Sequence, residues 1–237
     1  YLSGKKVATN YYDFFFRTAP QQDHYLNISG GNRYTKASVS LGYTGQDGVL
    51  LGTSANKYTF RTNVDMKSKR NIINFKFNLS GYRKEIDEYT KSSSTVISSI
   101  HRAGPTSVFQ AQNGLYGYYG MYYAQKELGG GGKKTQDGLS GRSQLTLNLF
   151  DGFKVIGAFN INYGQTRGTV FAPPLMTASD LYGDSQTEQQ SYYEVRNIHS
   201  FSTTAEATAH YDKTFNKSHK LSAMAGFSQY KYNYDTE

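Results

Sequence analysis

The stretch "YTFRTNVDMKSKRNIINFKFNLSG" (58–81) carries one pattern in two registers. Tyr58, Phe60, Val64 and Met66 stand at even positions, with Arg61, Asn63, Asp65 and Lys67 between them. After Ser68-Lys69-Arg70-Asn71 the pattern restarts: Ile73, Phe75, Phe77 and Leu79 alternate with Asn74, Lys76, Asn78 and Ser80. Successive strand side chains point to opposite faces, so a period of two reads as a hairpin with one apolar and one wet, charged face.

The same period recurs along the chain. It predicts eight strands, at 24–30, 33–44, 58–67, 72–82, 139–149, 154–163, 199–211 and 220–231. Short connections, "GGN" (30–32), "SKRN" (68–71), "FDGF" (150–153) and "KTFNKS" (213–218), alternate with long ones at roughly 45–57, 83–138 and 164–197. Short turns on one end and long loops on the other define an all-β, antiparallel up-and-down meander. Outer-membrane barrels have that asymmetry, with short periplasmic turns and longer extracellular loops. Within the long loop, "STVISSI" (94–100) is a weak helix candidate because of its β-branched residues. "YGYYGMYYAQ" (116–125) reads as exposed and "GGGG" (129–132) as flexible.

Composition agrees with β structure: of 237 residues, 22 are Tyr, 14 Phe and 24 Gly, with 4 Pro and no Cys or Trp. The absence of Cys excludes disulfides and thiolate metal sites. The formal charge of +8 is scattered through strand-like segments rather than gathered in a like-charge tail, which argues against nucleic acid as a partner. No apolar run approaches the roughly 18 residues of a membrane helix. The opening "YLSGKK" and closing "YNYDTE" look like interior sequence, so the chain is expected to be a piece of a longer polypeptide.

Alternation alone admits two solvents. In a soluble sandwich the apolar face turns inwards; in a membrane barrel it turns to lipid and the polar face to a wet lumen. Three features favour the barrel. The strands run about ten residues, the length needed to cross a bilayer when tilted. Tyr43, Tyr58, Phe60, Phe150, Phe153, Tyr163 and Tyr211 recur at strand ends, where interfacial girdles sit. Charged residues such as Arg61, Asp65, Lys76 and Arg142 stand in mid-strand. Leu41, Phe60, Phe75, Phe77, Leu147 and Phe159 are then expected to face outwards, and Ser40, Arg61, Lys76, Thr146 and Asn160 inwards.

Residues 11–81 also resemble the start of the barrel in SusC/RagA-type TonB-dependent outer-membrane transporters of Bacteroidetes. The pieces that carry the resemblance are "DFFFRTAPQQDHYLNISGG", "SLGYTGQDGVLLG", and "YTFRTNVD" followed by "FNLSG". "LTLNLFDGFKVIGAFNINY" and "AHYDKTFNKSHKLSAMAGFSQY" look like the family's next hairpins, whereas 83–138 matches nothing recognisable. The resemblance implies the N-terminal part, the first eight strands, of a barrel of about 22 strands around a plug. Residues 1–22 would lead in to it, and 83–138 and 164–197 would be long extracellular loops. It further implies nutrient import across the outer membrane, with a glycan or peptide substrate. TonB would supply the energy and a SusD-like lipoprotein the lid, through parts this chain lacks. It implies no cofactor and no enzyme. The alternatives are a self-contained eight-stranded outer-membrane barrel or adhesin whose loops bind a partner, and a soluble β-sandwich binding module.

A search for chemistry finds little. The five His (His24, His101, His199, His210, His219) do not pair at metal-ligand spacing. Asp184 and Glu188 share one loop, where carboxylates are usually solvated. "GGGGKKT" (129–135) fails as a phosphate loop: Glu127 stands where the first Gly belongs and Lys134 where Ser or Thr belongs. Two clusters are candidate contacts. Arg61, Asn63, Asp65, Lys76 and Asn78 would line the lumen and meet ligand or plug, though solvating the wall is their simpler role. Tyr116, Tyr118, Tyr119, Tyr122 and Tyr123 would meet a sugar or a partner protein, with self-packing of the loop the simpler reading.

Overall fold

The computed structural model describes residues 9–216 and 219–237. Part of the lead-in segment (1–8) and of the last short turn (217–218) lies outside the described residues. The order of elements is α1 (Tyr11–Phe15), β1 (Gln21–Gly31), β2 (Thr35–Asp47), β3 (Ser54–Lys67), β4 (Ile73–Glu88), α2 (Ser93–Arg102), β5 (Tyr116–Gly117), α3 (Met121–Glu127), β6 (Gly131–Phe150), β7 (Phe153–Ala172), β8 (Leu175–Ala178), β9 (Gln186–Gln189), β10 (Tyr192–Phe215) and β11 (His219–Thr236). Among the described residues the main sheet has eight strands in the order β1-β2-β3-β4-β6-β7-β10-β11, every neighbour antiparallel. All eight expected strands are present, paired in chain order.

The short turns use the residues such turns require. Asn32 Oδ1 accepts from the backbone N–H of Tyr34 (2.8 Å) and Thr35 (2.9 Å), an Asx turn. Asn71 takes φ 55° and Gly152 φ 79°, left-handed positions that these residue types tolerate.

The long connections differ from expectation in extent. Residues 45–57 are almost all strand, leaving 48–53 as the link between β2 and β3. Expected loop 83–138 shrinks to 89–130, and 164–197 to 173–191, because β4, β6, β7 and β10 run on. Beyond Gly81 and Tyr163, and before Leu139, apolar and polar residues no longer alternate along these strands. Polar side chains then occupy both registers and the period of two vanishes, while the backbone ladder continues.

The register places Leu41, Phe60, Gly81, Leu139, Tyr163 and Phe201 in one cross-strand row. Phe75, Phe77, Leu147 and Phe159 share that face; Ser40, Arg61, Lys76, Thr146 and Asn160 share the other. No layer covers the apolar face among the described residues: Leu41 is 50% exposed and Phe159 48%. The buried hydrophobic residues sit almost wholly in the connections, with Ala158 the mid-strand exception. A sandwich would bury its apolar face in a second sheet, so this one needs apolar surroundings. The closed small barrel is overturned as well: β1 and β11 are not paired to each other among the described residues, so the sheet stays open.

At the long-connection rim a small domain forms. Tyr11, Phe15, Leu50, Tyr89, Val96, Ile100 and Phe109 make its core, drawn from α1, the β2–β3 link and 89–130. The weak helix signal is a real helix, α2. Ser92 caps it, accepting from Thr95 N–H at 3.3 Å, and Val96 and Ile100, four apart, are buried in the core. Packing outweighs the modest β-branched penalty. A second sheet, β5-β8-β9, was not foreseen; its strands are two to four residues long, too short to show a period.

Candidate functional site

The polar face is a ladder of hydrogen-bonding side chains. One row reads Ser29, Ser38, Asn63, Asn78, Arg142, Asn160 and Thr204 across seven strands. Within it Asn63 Nδ2 donates to Ser38 Oγ at 3.1 Å, and Arg142 donates to Asn160 Oδ1 at 3.0 Å. Arg142 also donates to Gln144 Oε1 (3.3 Å) and lies 3.7 Å from Glu206, tying β6, β7 and β10 together. In the next row Ser140 donates to Asn162 Oδ1 at 2.8 Å.

The sequence-predicted lumen residues separate into two hollows. Asn63, Asp65, Lys76 and Asn78 line a groove of about 670 Å³ with Ser29, Lys36 and Ser38. Arg61 lines a neighbouring hollow of about 560 Å³ with Tyr25, Ser40, Thr59 and Tyr82. Asp65 stands directly opposite Lys36 on β2 and Lys76 on β4. Among the described residues neither lysine comes within ion-pair distance of it, and Asp65 Oδ1 is buried without a hydrogen-bond partner. Arg142, noted in the sequence only as a mid-strand charge and not among the candidate contacts, is the centre of this ladder. Tyr230, Tyr232 and Tyr234 were missed as well. They share the polar face of β11, ring beside ring at 6.4 Å spacing.

The aromatic cluster is packed rather than splayed. Tyr116, Tyr119, Tyr122 and Tyr123 are partly buried against the small domain's core; Tyr118 alone of the five is exposed, at 58%. The physical reason is α3, which turns Met121 and Ala124 inwards and carries the flanking rings with them. Phe109 stands at the centre of the cluster, with Phe14 stacked on it at 4.0 Å and Tyr11, Tyr116 and Tyr123 edge-on. Burial pushes the Tyr11 and Tyr89 hydroxyls up to about 12; that of Tyr89 donates to Leu51 O at 2.8 Å.

The four glycines are structural rather than a hinge. Gly129 takes φ 80° and donates to Lys126 O, while Gly130 donates to Gln125 O at 2.7 Å, the paired bonds of a Schellman ending to α3. A Cβ on Gly130 would lie 2.5 Å from Pro173 Cδ, and Gly131 and Gly132 begin β6. Lys126 reaches across to donate to Glu88 O at 3.2 Å, and its burial lowers the ammonium's pKa. Among the described residues no group of His, Cys, Asp or Glu could hold a metal. Among the described residues the polar contacts of the sheet's polar face brace one strand against the next.

No protein-family model matches the chain. It is 25% identical to TonB-dependent receptor P3 of Formosa agariphila over 98% of its length. It is 31% identical to TonB-dependent receptor SusC of Bacteroides thetaiotaomicron over 70 residues, 30% of the chain. It spans 23% of the first of these relatives and 7% of the second. Among solved structures, the RagAB peptide transporter superposes over 97% of the chain with TM-score 0.71 at 18% identity, the chain covering 26% of it. The RagAB peptide importer in its open-open state gives the same score over 96%. At that identity the structures speak for the fold alone, and the fold is the meander described above. These relatives are receptors and transporters rather than enzymes, and the resemblance read from 11–81 agrees with them. The chain is thus similar over 98% of its length to one TonB-dependent receptor and over 70 residues to SusC, and it shares the fold of the RagAB transporter.

Proposed function

We propose that this chain is a sector of the barrel wall of a transporter that imports a glycan or a peptide across the outer membrane. TonB energises it and a SusD-like lipoprotein covers it. The observation that carries the reading is an open sheet with one face uncovered and apolar, the other a continuous polar ladder. Such a sheet is the wall of a barrel much wider than eight strands. The names of its relatives, TonB-dependent receptors and a peptide transporter, support the same reading. In this assignment the polar face lines the lumen, and Arg61, Asn63, Asp65, Lys76 and Asn78 meet the plug or the passing solute. The short turns are periplasmic, and the small domain built on 89–130 and 173–191 is extracellular. There Tyr118 is the ring offered to a ligand or lid, and Tyr116, Tyr119, Tyr122 and Tyr123 hold it in place.

The test is uptake by cells carrying the full-length protein. Labelled oligosaccharides and peptides are offered with the TonB system intact and deleted, and the affinity-tagged protein is assayed for a co-purifying lipoprotein. Uptake that is lost without TonB, with a lipoprotein retained, bears the proposal out. Uptake indifferent to TonB overturns it. Tyr118→Ala is expected to weaken lid retention or uptake several-fold while the barrel assembles normally.

A further inference from the structure

The two rims differ in charge. Residues 31–36, 65–74, 148–155, 211–216 and 219–221, which flank the short turns, hold eight Lys or Arg against three Asp. Elsewhere the two signs nearly balance. The cations divide by position. Lys36, Lys67, Lys154 and Lys220 lie in the register of the polar face, at the mouth of the lumen. Arg33, Lys69 and Arg70 sit in the turns themselves, exposed, and Lys213 lies in the register of the apolar face. Arg33 is held over the Tyr34 ring at 5.3 Å, and Lys213 lies 3.7 Å from Asp151.

At this rim the apolar face ends in aromatic rings on the β6–β7 and β10–β11 hairpins, beside Lys213. Phe150 and Phe153 stack at 4.8 Å; Phe150 is 63% exposed, and Phe215 and Leu221 are exposed too. Rings with an uncovered flank, followed at once by cations, match the order in which a leaflet presents acyl chain, interface and phosphate. Cations near an anionic leaflet gain electrostatic attraction that salt screens.

We propose that Arg33, Lys69, Arg70 and Lys213 form a docking collar for anionic phospholipid headgroups of the inner leaflet of the outer membrane. The proposal rests on the reading above that the short turns are periplasmic. The collar follows the rim of the lipid-facing band, and at Lys213 one lipid can contact both: its acyl chains lie on Phe150, Phe153 and Phe215, and its phosphate meets the ammonium, while Arg33, Lys69 and Arg70 meet the headgroups of its neighbours.

The experiment uses the full-length transporter, reconstituted in vesicles of equal parts phosphatidylethanolamine and phosphatidylglycerol. It is then extracted in detergent, and the retained lipid is quantified by native mass spectrometry. The wild type is expected to retain phosphatidylglycerol over phosphatidylethanolamine. In R33Q/K69Q/R70Q/K213Q the preference falls about tenfold, since each cation near such a surface contributes measurably. A matched variant of the opposite rim, K84Q/K133Q/K134Q/R196Q, keeps it. No preference in the wild type, or equal loss in both variants, overturns the proposal. Should the first variant fail to assemble, extracting the wild type at molar salt decides instead: phosphatidylglycerol must be stripped selectively, and its full retention overturns the collar. Orientation is read separately with Ser68→Cys and a membrane-impermeant maleimide. Protection in intact cells upholds the periplasmic placement. Labelling in intact cells refutes that placement and the inner-leaflet assignment with it, whatever the lipid preference.

Discussion

The ring of Phe60 on β3 lies over Gly81 on β4, its direct cross-strand partner: a Cβ on Gly81 would meet Phe60 Cε1 at 2.5 Å. On the polar face the same device recurs, with Tyr82 over Gly138; a Cβ there would meet Tyr82 Cε1 at 2.3 Å. An aromatic ring laid across a strand glycine restores the cover that a missing side chain gives up.

Gly81→Val is therefore expected to drive Phe60 off its seat and to cost about 1–3 kcal/mol, the usual penalty of overpacking. Phe60→Leu combined with Gly81→Val is expected to recover part of the loss. Urea unfolding of the full-length protein in lipid vesicles measures both. Additive losses would show that the two residues do not share one space.

Faces can be told apart by charge. Phe77→Arg is expected to lower barrel stability by about 2–4 kcal/mol, the cost of an Arg on the lipid face at mid-bilayer. Asn63→Arg, between the uncharged Ser38 and Asn78 on the polar face, is expected to cost well under half of that. Heat-modified mobility on gels gives the ordering. Equal effects would mean that the polar face is not wet.

Gly129→Val is expected to loosen the small domain by about 1–2 kcal/mol. It places a β-branched residue at φ 80°, in a conformation that costs an L side chain that much. Protease nicking between 103 and 130 is expected to rise while the urea midpoint of the barrel stays put. A fall in the barrel midpoint instead would show that the domain and the sheet unfold as one.

Asp180 supplies a pH test. Its carboxylate accepts from the backbone N–H groups of Tyr182, Gly183, Asp184 and Ser185, and these bonds, that of Ser185 foremost, hold it below the usual carboxylate range. A pKa lowered in the folded state gives stability that is present above the unfolded value. It is lost as pH falls through the folded one. Nicking of 179–186 by pepsin is therefore expected to accelerate in wild type only once pH drops below about 3.9, the unperturbed value. Asp180→Asn is expected to be nicked readily across the range without that onset. A pH-independent wild-type loop would remove the carboxylate from the account.

What the sequence determined by itself is everything that follows from a strand with one apolar and one polar face. There the period of two is enforced, and it was enough to place eight strands, their order and both faces, down to Phe77 on the apolar side and Lys76 on the polar one. Tertiary structure decided the rest, where that contrast of faces disappears. Past Gly81 and Tyr163 the residues no longer alternate, so strand and loop look alike in sequence, and only the backbone ladder shows that 83–88 and 164–172 are strand. In the small domain the five tyrosines of 116–123 have no period to read. Contacts with Phe109, just upstream, and with Tyr11, far away along the chain, bury most of them and leave Tyr118 outside. The glycines at 129–132 carry the same lesson: composition says flexible, but the Schellman bonds that close α3 hold Gly129 and Gly130, Pro173 crowds Gly130, and Gly131 and Gly132 are strand.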